Sequence, residues 1–203
     1  GAARFDDPNV WLARGALLIV LLGGAYLVYR LFRAGTAHVV SISSPYRSST
    51  GVTVELPGRT GWHSDPGLRV RQSFSTGWLR GDVMFRARTA ADADQFAMVM
   101  RVHVPGGFAH EVDPERMRTG LEASLRQAAA QAGAEARGLA CAYDTSWRSG
   151  QAVACYGRVV LPARELPGGA YLWVENDDDV IGIAYASSDG ALDPLEQMAR
   201  TAR

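Results

Sequence analysis

Histidines and acidic residues are the first places to look for catalytic or metal chemistry in this sequence of 203 residues. His103 and the pair His110-Glu111 flank a Pro-Gly-Gly loop, and together with Asp113 they could converge on a metal ion. Their spacing matches no known zinc signature, and alternating apolar and polar residues place His103 on the polar side of a strand. We therefore predict surface histidines, with no metal site and no cofactor.

Two further groups combine suitable residue types in an unsuitable arrangement. His63-Ser64-Asp65 contains the residue types of a hydrolytic triad, but three consecutive side chains in an extended segment cannot all face one another. Glu175 and Asp177–Asp179 could bind a hard cation, but they lack the alternating acids and central glycine of a calcium loop. We predict an ordinary loop for the first group and a solvated hairpin turn for the second.

Cys141 and Cys155 flank the run CAYDTSWRSGQAVAC, whose centre, Trp147–Gly150, has turn chemistry. The residues on either side of this turn predict a β-hairpin with the two cysteines opposite each other, about 4.5–5.5 Å apart at Cβ. Two buried free thiols are the alternative, and no histidine or further cysteine stands nearby at metal-ligand spacing. We favour a disulfide, which predicts a domain outside the cytoplasm, in a periplasmic setting.

Trp147 and Arg148, at the turn of this hairpin, are the predicted partner-binding residues. Tryptophan and arginine are enriched at interface hot spots, and a disulfide would stiffen the hairpin that presents them. The alternative is that Trp147 packs locally against Tyr143 or Tyr156 as a cross-strand aromatic cluster. The sequence leaves both interpretations open.

The composition excludes several classes of function. Twenty-one basic and 21 acidic residues give a formal net charge of zero, so the basic excess that marks nucleic-acid binding is missing. All 21 basic residues are arginine, and without a lysine the chain cannot be a Walker-type NTPase, a Schiff-base enzyme or a Ser-Lys hydrolase. No nucleophile, base and orienting group can be nominated together, so we predict that the protein is not an enzyme.

Residues 10–33 are predicted to form a transmembrane helix after a short flank, residues 1–9. The uncharged run GALLIVLLGGAYLVY has 15 residues, which is short for a span, but apolar flanks and snorkelling arginines lengthen it. A buried core helix and a cleaved signal peptide are the alternatives to a retained anchor in the lipid bilayer. Arginine counts on the two sides lean slightly toward a cytoplasmic domain, but we give the predicted disulfide more weight, and it decides the orientation. The predicted anchor residues are Trp11, Arg14, Tyr26, Tyr29 and Arg30.

After a predicted linker at residues 34–50, residues 51–203 are predicted to form one α+β domain. An alternation of apolar and polar residues, with short turns between the segments, favours an antiparallel sheet covered by helices. The predicted strands are residues 52–56, 68–74, 83–88, 98–104, 170–175 and 180–186, with the two arms of the cysteine hairpin.

Two helices complete the predicted domain. Asp113-Pro114-Glu115 combines an N-cap oxygen, a proline at the first position and an acid in the first turn, and an apolar stripe continues to residue 132. The last helix opens at Asp193-Pro194 with Glu196 in capping-box position.

The opening strand Val52–Pro57 is followed by Gly61-Trp62, and then come meandering strands, a central helix, further strands and a terminal helix. Over residues 50–203 this order resembles the Mog1/PsbP-like α/β/α sandwich family. The resemblance implies a mostly non-catalytic role, as in extrinsic subunits of membrane complexes, assembly factors or bacterial surface lipoproteins. This chain departs from the lipoprotein members, since it shows an apolar helix where they carry a lipidated cysteine.

The leading functional hypothesis is a non-catalytic, membrane-anchored accessory module that binds or braces a protein partner, as a subunit of a larger membrane complex would. A carrier or sensor of a small apolar ligand is the first alternative, because Met98, Met100 and several aromatic residues could line a pocket between sheet and helix. A hydrolytic enzyme is the second alternative.

Overall fold

The computed structural model describes residues 39–74, 77–87, 93–103, 105–106, 113–131, 135–144, 147, 152–161 and 164–203. The predicted flank 1–9 and the predicted transmembrane helix 10–33, with its anchor residues, lie outside these ranges. Within them, neither helix combines the length and the apolar character that a membrane span requires.

The described residues form 11 strands and two helices, numbered here in chain order. The first seven strands are β1 (Val40–Ile42), β2 (Tyr46–Arg47), β3 (Thr53–Val54), β4 (Trp62–Ser64), β5 (Val70–Phe74), β6 (Gly77–Arg86) and β7 (Gln95–His103). The remaining elements are α1 (Pro114–Gln131), β8 (Glu135–Asp144), β9 (Ala152–Leu161), β10 (Arg164–Val174), β11 (Asp179–Ser187) and α2 (Asp193–Thr201). A 3₁₀ turn, Pro66–Leu68, separates β4 from β5.

Nine strands form one antiparallel sheet in the order β1-β4-β6-β7-β11-β10-β9-β8, and β5 pairs with β6 beside β4. The strands β2 and β3 form a separate small sheet. Most neighbours in the sheet are also neighbours in sequence, and β11 is inserted between β7 and β10. The predicted antiparallel sheet with helices is confirmed for the part of the chain that is described, and strands predominate there.

The sheet buries apolar side chains on both faces, because successive residues of a strand point to opposite sides. Met117 and Leu121 of α1 pack on one face, which we call the α1 face, against residues such as Val153, Cys155 and Leu172. The other side, the α2 face, holds Leu195, Met198 and Ala199 of α2 together with Trp62, Tyr171, Trp173, Ile181 and Ile183. The sheet therefore lies between one helix on each side.

Most of the predicted linker is part of the folded domain. Residues 43–56, which we call the strap, lead from β1 onto the α2 face, where Val52, Val54 and Leu56 are buried. The polar residues Ser48 and Thr50 are also buried, and their hydroxyl groups form a hydrogen bond with each other. Small polar residues can be buried in this way when they satisfy one another, so polarity alone was a misleading sign of a linker. The domain begins about ten residues before the predicted boundary at Gly51.

The two helices begin differently from each other. Asp113 accepts a hydrogen bond at Oδ1 from the backbone N–H of Glu115, 3.0 Å away, so the predicted cap of α1 is confirmed. The predicted capping box of α2 is wrong, because Asp193 is itself the first helical residue. The capping residue is Leu192, whose apolar side chain cannot accept a hydrogen bond from the helix.

The cysteine hairpin is confirmed. Cys141 on β8 lies directly opposite Cys155 on β9, and their sulfur atoms are joined at 2.07 Å. Cys155 is fully buried on the α1 face, with Cys141 packed beside it.

We expect loss of this disulfide to lower the free energy of unfolding. The bond closes a loop with a sequence separation of 14, for which the loop-entropy model gives about 3 kcal/mol. In thermal unfolding of the double variant Cys141→Ala/Cys155→Ala, the midpoint should fall by roughly 6–12 °C. Reductant should lower the midpoint of the parent chain and leave that of the variant unchanged. A parent midpoint insensitive to reductant under unfolding conditions would contradict a stabilising disulfide.

Candidate binding surface

The three residues that resembled a hydrolytic triad do not meet. His63 stacks on Phe85 at a ring-centroid distance of 6.0 Å, on the α1 face. Ser64 follows it in β4 and points to the opposite face, while Asp65 accepts from the backbone N–H of Gly67 at 2.7 Å and caps the 3₁₀ turn. Their roles are local and structural.

The structure joins one member of the predicted metal cluster to one member of the acidic turn. His103 Nδ1 lies 2.9 Å from Asp179 Oδ1, because the two residues are directly paired on β7 and β11. Asp113 caps α1 instead, and His110 and Glu111 lie outside the described residues. Among the residues that the structure describes, no three His, Cys, Asp or Glu side chains are grouped so that they could hold a metal ion.

The acidic turn between β10 and β11 is held by its own side chains. Asn176 Oδ1 accepts from the backbone N–H groups of Asp178 and Asp179 at 2.9 and 3.0 Å. Asp178 Oδ1 accepts from the backbone N–H of Gly106, across the sheet edge, at 2.9 Å. These bonds are those of an Asx-type turn at the end of a hairpin.

Trp147 is buried rather than presented to a partner, with 2% of its surface exposed. Its ring centroid lies 5.1 Å from that of Tyr171 and 5.8 Å from that of Trp173, and the Arg200 guanidinium carbon lies 5.1 Å from the ring. Packing is therefore the alternative that agrees with the structure, and the ring contacts of Trp147 are with Tyr171 and Trp173 of β10 and with Arg200 of α2. Direct partner contact through Trp147 does not fit this burial, and Arg148 lies outside the described residues.

Arginines gather on a part of the α2 face that lies beside the strap. Arg71 on β5 is directly paired with Arg80 on β6, which is directly paired with Arg101 on β7, so the three form a row across adjacent strands. Arg71 and Arg80 are exposed and Arg101 is half-buried. We define the arginine face as Arg69, Arg71, Trp78, Arg80, Arg101 and His103.

The row lacks described counter-charges. None of Arg71, Arg80 and Arg101 forms an ion pair with a residue that the structure describes, whereas Arg69 Nε lies 3.3 Å from Asp82 Oδ1. Directly opposite like charges on neighbouring strands are destabilising. The isolated domain therefore keeps a repulsive row of charges on its surface.

An aromatic layer orients the middle arginine of the row. The ring centroids of Trp78 and His103 are 5.2 Å apart, and the Arg80 guanidinium carbon lies 4.7 Å from the Trp78 ring. The contact between Asp179 Oδ1 and His103 Nδ1 also holds the His103 ring in place. A guanidinium stacked on tryptophan loses less conformational freedom when it binds a carboxylate, because part of its ordering has already occurred.

The strap borders the arginine face. Gly51 adopts φ 86°, and a Cβ atom at this position would lie 3.7 Å from Arg101 Nη1, so the strap turn lies against the side chain of Arg101. Arg101 Nε is buried without a hydrogen-bond partner. The strap therefore limits where the guanidinium of Arg101 can go.

Asp82 ties the strap to the sheet beside this surface. Its carboxylate is buried, with 1% of the residue exposed, and accepts from Tyr46 Oη at 2.9 Å, from Ser49 N at 2.6 Å and from Ser49 Oγ. Burial, and then the negative charge of Asp82, raise the pKa of Tyr46 to about 12. The Tyr46 hydroxyl therefore remains a proton donor to Asp82 throughout the physiological pH range.

Sequence reasoning did not find the arginine face. Its residues are spread over about 35 positions and form no charge run, so composition gave no sign of them. The available signal was that the polar positions of two predicted strands, 69 and 71 in one and 101 and 103 in the other, are occupied by arginine or histidine, whereas Trp78 and Arg80 precede the predicted strand 83–88. Only the pairing of β5, β6 and β7 shows which of these positions are neighbours.

Fold and surface together define a class of protein: a mostly β domain, with one antiparallel sheet between two helices, that presents a row of arginines on one face. No family model and no curated protein matches this chain. A solved structure of LpqN, a protein involved in cell envelope biogenesis of Mycobacterium tuberculosis, is similar at 11% identity and a TM-score of 0.33, over 83% of this chain and 89% of that chain. At so low a TM-score the similarity supports no conclusion about function, and the Mog1/PsbP-like resemblance stays a prediction.

Proposed function

We propose that this chain is a non-catalytic, membrane-tethered accessory module that binds an acidic segment of a protein partner through the arginine face. The observation that carries the proposal is the row Arg71, Arg80 and Arg101, directly opposite one another on adjacent strands, none of which forms an ion pair with a described residue. A carboxylate-bearing partner would neutralise the row, and bidentate arginine–carboxylate pairing would add geometric specificity.

The compartment we propose is extracytoplasmic. The disulfide Cys141–Cys155 supports it, because disulfides persist in oxidising compartments. The apolar run within residues 10–33 supports a tether to the bilayer, since its flanks extend it toward the length of a membrane span. Alkylation of denatured protein from intact cells tests the first part: both cysteines should react only after reduction, and reaction without reductant would contradict this compartment.

A protein segment suits this surface better than a nucleic acid. The acidic turn at Asp177–Asp179 directly adjoins the arginine face through the His103–Asp179 contact. A long polyanion lying across the row would meet these carboxylates, whereas a short acidic segment would not. The zero formal net charge of the chain agrees with this.

The packing of the methionines supports a binding surface over a pocket for an apolar ligand. Met98 and Met100 are 4% and 3% exposed and belong to the core on the α1 face. A Cβ atom at Gly182 would lie 2.8 Å from Met100 Cε, so this side chain fills the space above a bare stretch of β11 backbone. Both residues act as core packing in the described part of the chain.

We expect the substitution Arg71→Thr to weaken binding and to stabilise the free domain. Threonine suits an exposed strand position, and the change removes the repulsion between Arg71 and Arg80, so the free energy of unfolding should rise by a few tenths of a kcal/mol. The double variant Arg71→Thr/Arg80→Thr should bind poly-L-glutamate roughly tenfold more weakly at low salt. Fluorescence anisotropy and urea unfolding measure the two effects.

The matched control is Arg158→Thr, on β9 at the opposite end of the sheet, one strand in from its edge. Arg158 is an exposed strand arginine, but its guanidinium already pairs with Glu165 at 2.9 Å. We expect this variant to bind poly-L-glutamate like the parent chain. Equal losses of affinity in the control and in the Arg71→Thr/Arg80→Thr variant would show that the arginine face is not the site.

A further inference from the structure

The strand β5 forms an edge of the sheet next to the arginine face. Among the described strands it pairs with β6 alone, over Val70–Phe74 and Gly77–Gly81. The strands β4 and β1 lie along the other half of β6 and do not extend beside β5. An edge strand offers backbone N–H and C=O groups to an added strand, so β5 is a template for a further one.

Successive side chains of β5 point alternately to the two faces of the sheet, so one face carries the arginines of this edge. Arg69, Arg71 and Ser73 are two residues apart, so the extended backbone places them on one side, which is the side of Arg80 and Trp78. Arg71 and Ser73 are exposed. A strand added beside β5 would put every second side chain directly next to these residues.

We propose that the acidic segment of the partner binds as an extended strand added to the outer edge of β5, with acidic side chains at alternate positions facing Arg69 and Arg71. This inference rests on the proposed function and specifies the partner's conformation and its sequence pattern. Main-chain hydrogen bonds to β5 supply affinity, and the alternate carboxylates, continuing the row of Arg71, Arg80 and Arg101 with the opposite charge, supply specificity.

Charge favours an acidic strand of a partner protein over two other segments that could add to the edge of β5. Residues 34–38, which lead into the described part of the chain, contain no carboxylate and cannot supply the acids. A second copy of the chain, paired through its own β5, would bring Arg71 and Arg69 close to the same arginines and would add to the repulsion. An acidic strand from a different protein is the occupant that the charges favour.

Two peptides with one composition test the alternation. In the first heptapeptide glutamate and threonine alternate, starting and ending with glutamate. In the second, the same four glutamates are contiguous. An added strand places all four carboxylates of the first peptide on one side but only two of the second, so the full chain should bind the alternating peptide about tenfold more tightly. Equal affinities would overturn the inference.

Backbone N-methylation of the alternating peptide gives the sharper test. In one variant the threonine amides are methylated, and in the other the amides of the internal glutamates. Successive N–H groups of a strand point alternately to its two edges, so only one of the two sets of amides faces β5. The variant methylated on that set should lose measurable binding, and the other variant should keep it. If both bind like the parent peptide, or both weaken equally, strand addition is wrong.

The substitution Arg71→Thr separates this inference from the proposed function. It should remove the preference for the alternating peptide over the contiguous one. If poly-L-glutamate binds in a manner that depends on Arg71, while neither alternation nor N-methylation matters, the strand geometry alone fails. If neither peptide and no poly-L-glutamate binds, the proposed function fails with it.

Discussion

The substitution Asp82→Ala should detach the strap and lower the free energy of unfolding by about 3–4 kcal/mol. The variant leaves three donors, Tyr46 Oη, Ser49 N and Ser49 Oγ, without their buried acceptor, although Tyr46 is only half-buried and Ser49 is exposed. Hydrogen bonds to a charged group contribute about 1.5–3 kcal/mol each, and water that reaches the donors in the variant recovers part of this. Urea unfolding measures the loss, and hydrogen exchange should show faster exchange at the strap amides than in the central strands.

Two variants separate the loss of the strap hydrogen bonds in Asp82→Ala from the loss of the negative charge and of the ion pair with Arg69. Asp82→Asn keeps one acceptor oxygen and should lose less stability than Asp82→Ala. Arg69→Gln removes only the ion pair of a half-exposed arginine, for which we expect less than about 1 kcal/mol. Unchanged exchange of the strap amides in Asp82→Ala would mean that the apolar contacts of Val52, Val54 and Leu56 hold the strap without the carboxylate.

The substitution Trp147→Ala should cost about 3–5 kcal/mol of unfolding free energy, because it empties a buried site between β10 and α2. Trp147→Phe should cost far less, since it keeps an aromatic ring and the buried indole N–H has no hydrogen-bond partner to lose. Urea unfolding of both variants measures the difference.

Binding distinguishes packing from partner contact at this residue. Trp147→Phe should bind poly-L-glutamate with the affinity of the parent chain, because Trp147 is not part of the arginine face. A loss of affinity in a folded Trp147→Phe variant would contradict the assignment of this side chain to the core.

Local patterns were sufficient where the interaction is short in sequence. The cap of α1 depends on Asp113 and the residues directly after it, so the sequence could predict it. The hairpin at Cys141 and Cys155 was predictable for the same reason, because a turn between two strands determines which residues lie opposite.

Patterns failed where a distant element decides the environment of a residue. Trp147 follows the first arm of the hairpin, and its burial depends on Tyr171 and Trp173 of β10 and on α2, which no property of the hairpin specifies. Ser48 and Thr50 are small polar residues of the kind that linkers contain. They are buried because the strap crosses a sheet built from later strands. Propensity cannot show which surface a segment crosses.

The amino-acid sequence by itself determined the antiparallel sheet, the central helix and the pairing of the two cysteines, because all three follow from periodicity and neighbouring residues. Only the tertiary structure decided that Asp82 holds the strap and that Arg71, Arg80 and Arg101 form one row. The physical reason is register: the side chains of a strand alternate between two faces, so the pairing of β5, β6 and β7 determines which distant charges become neighbours.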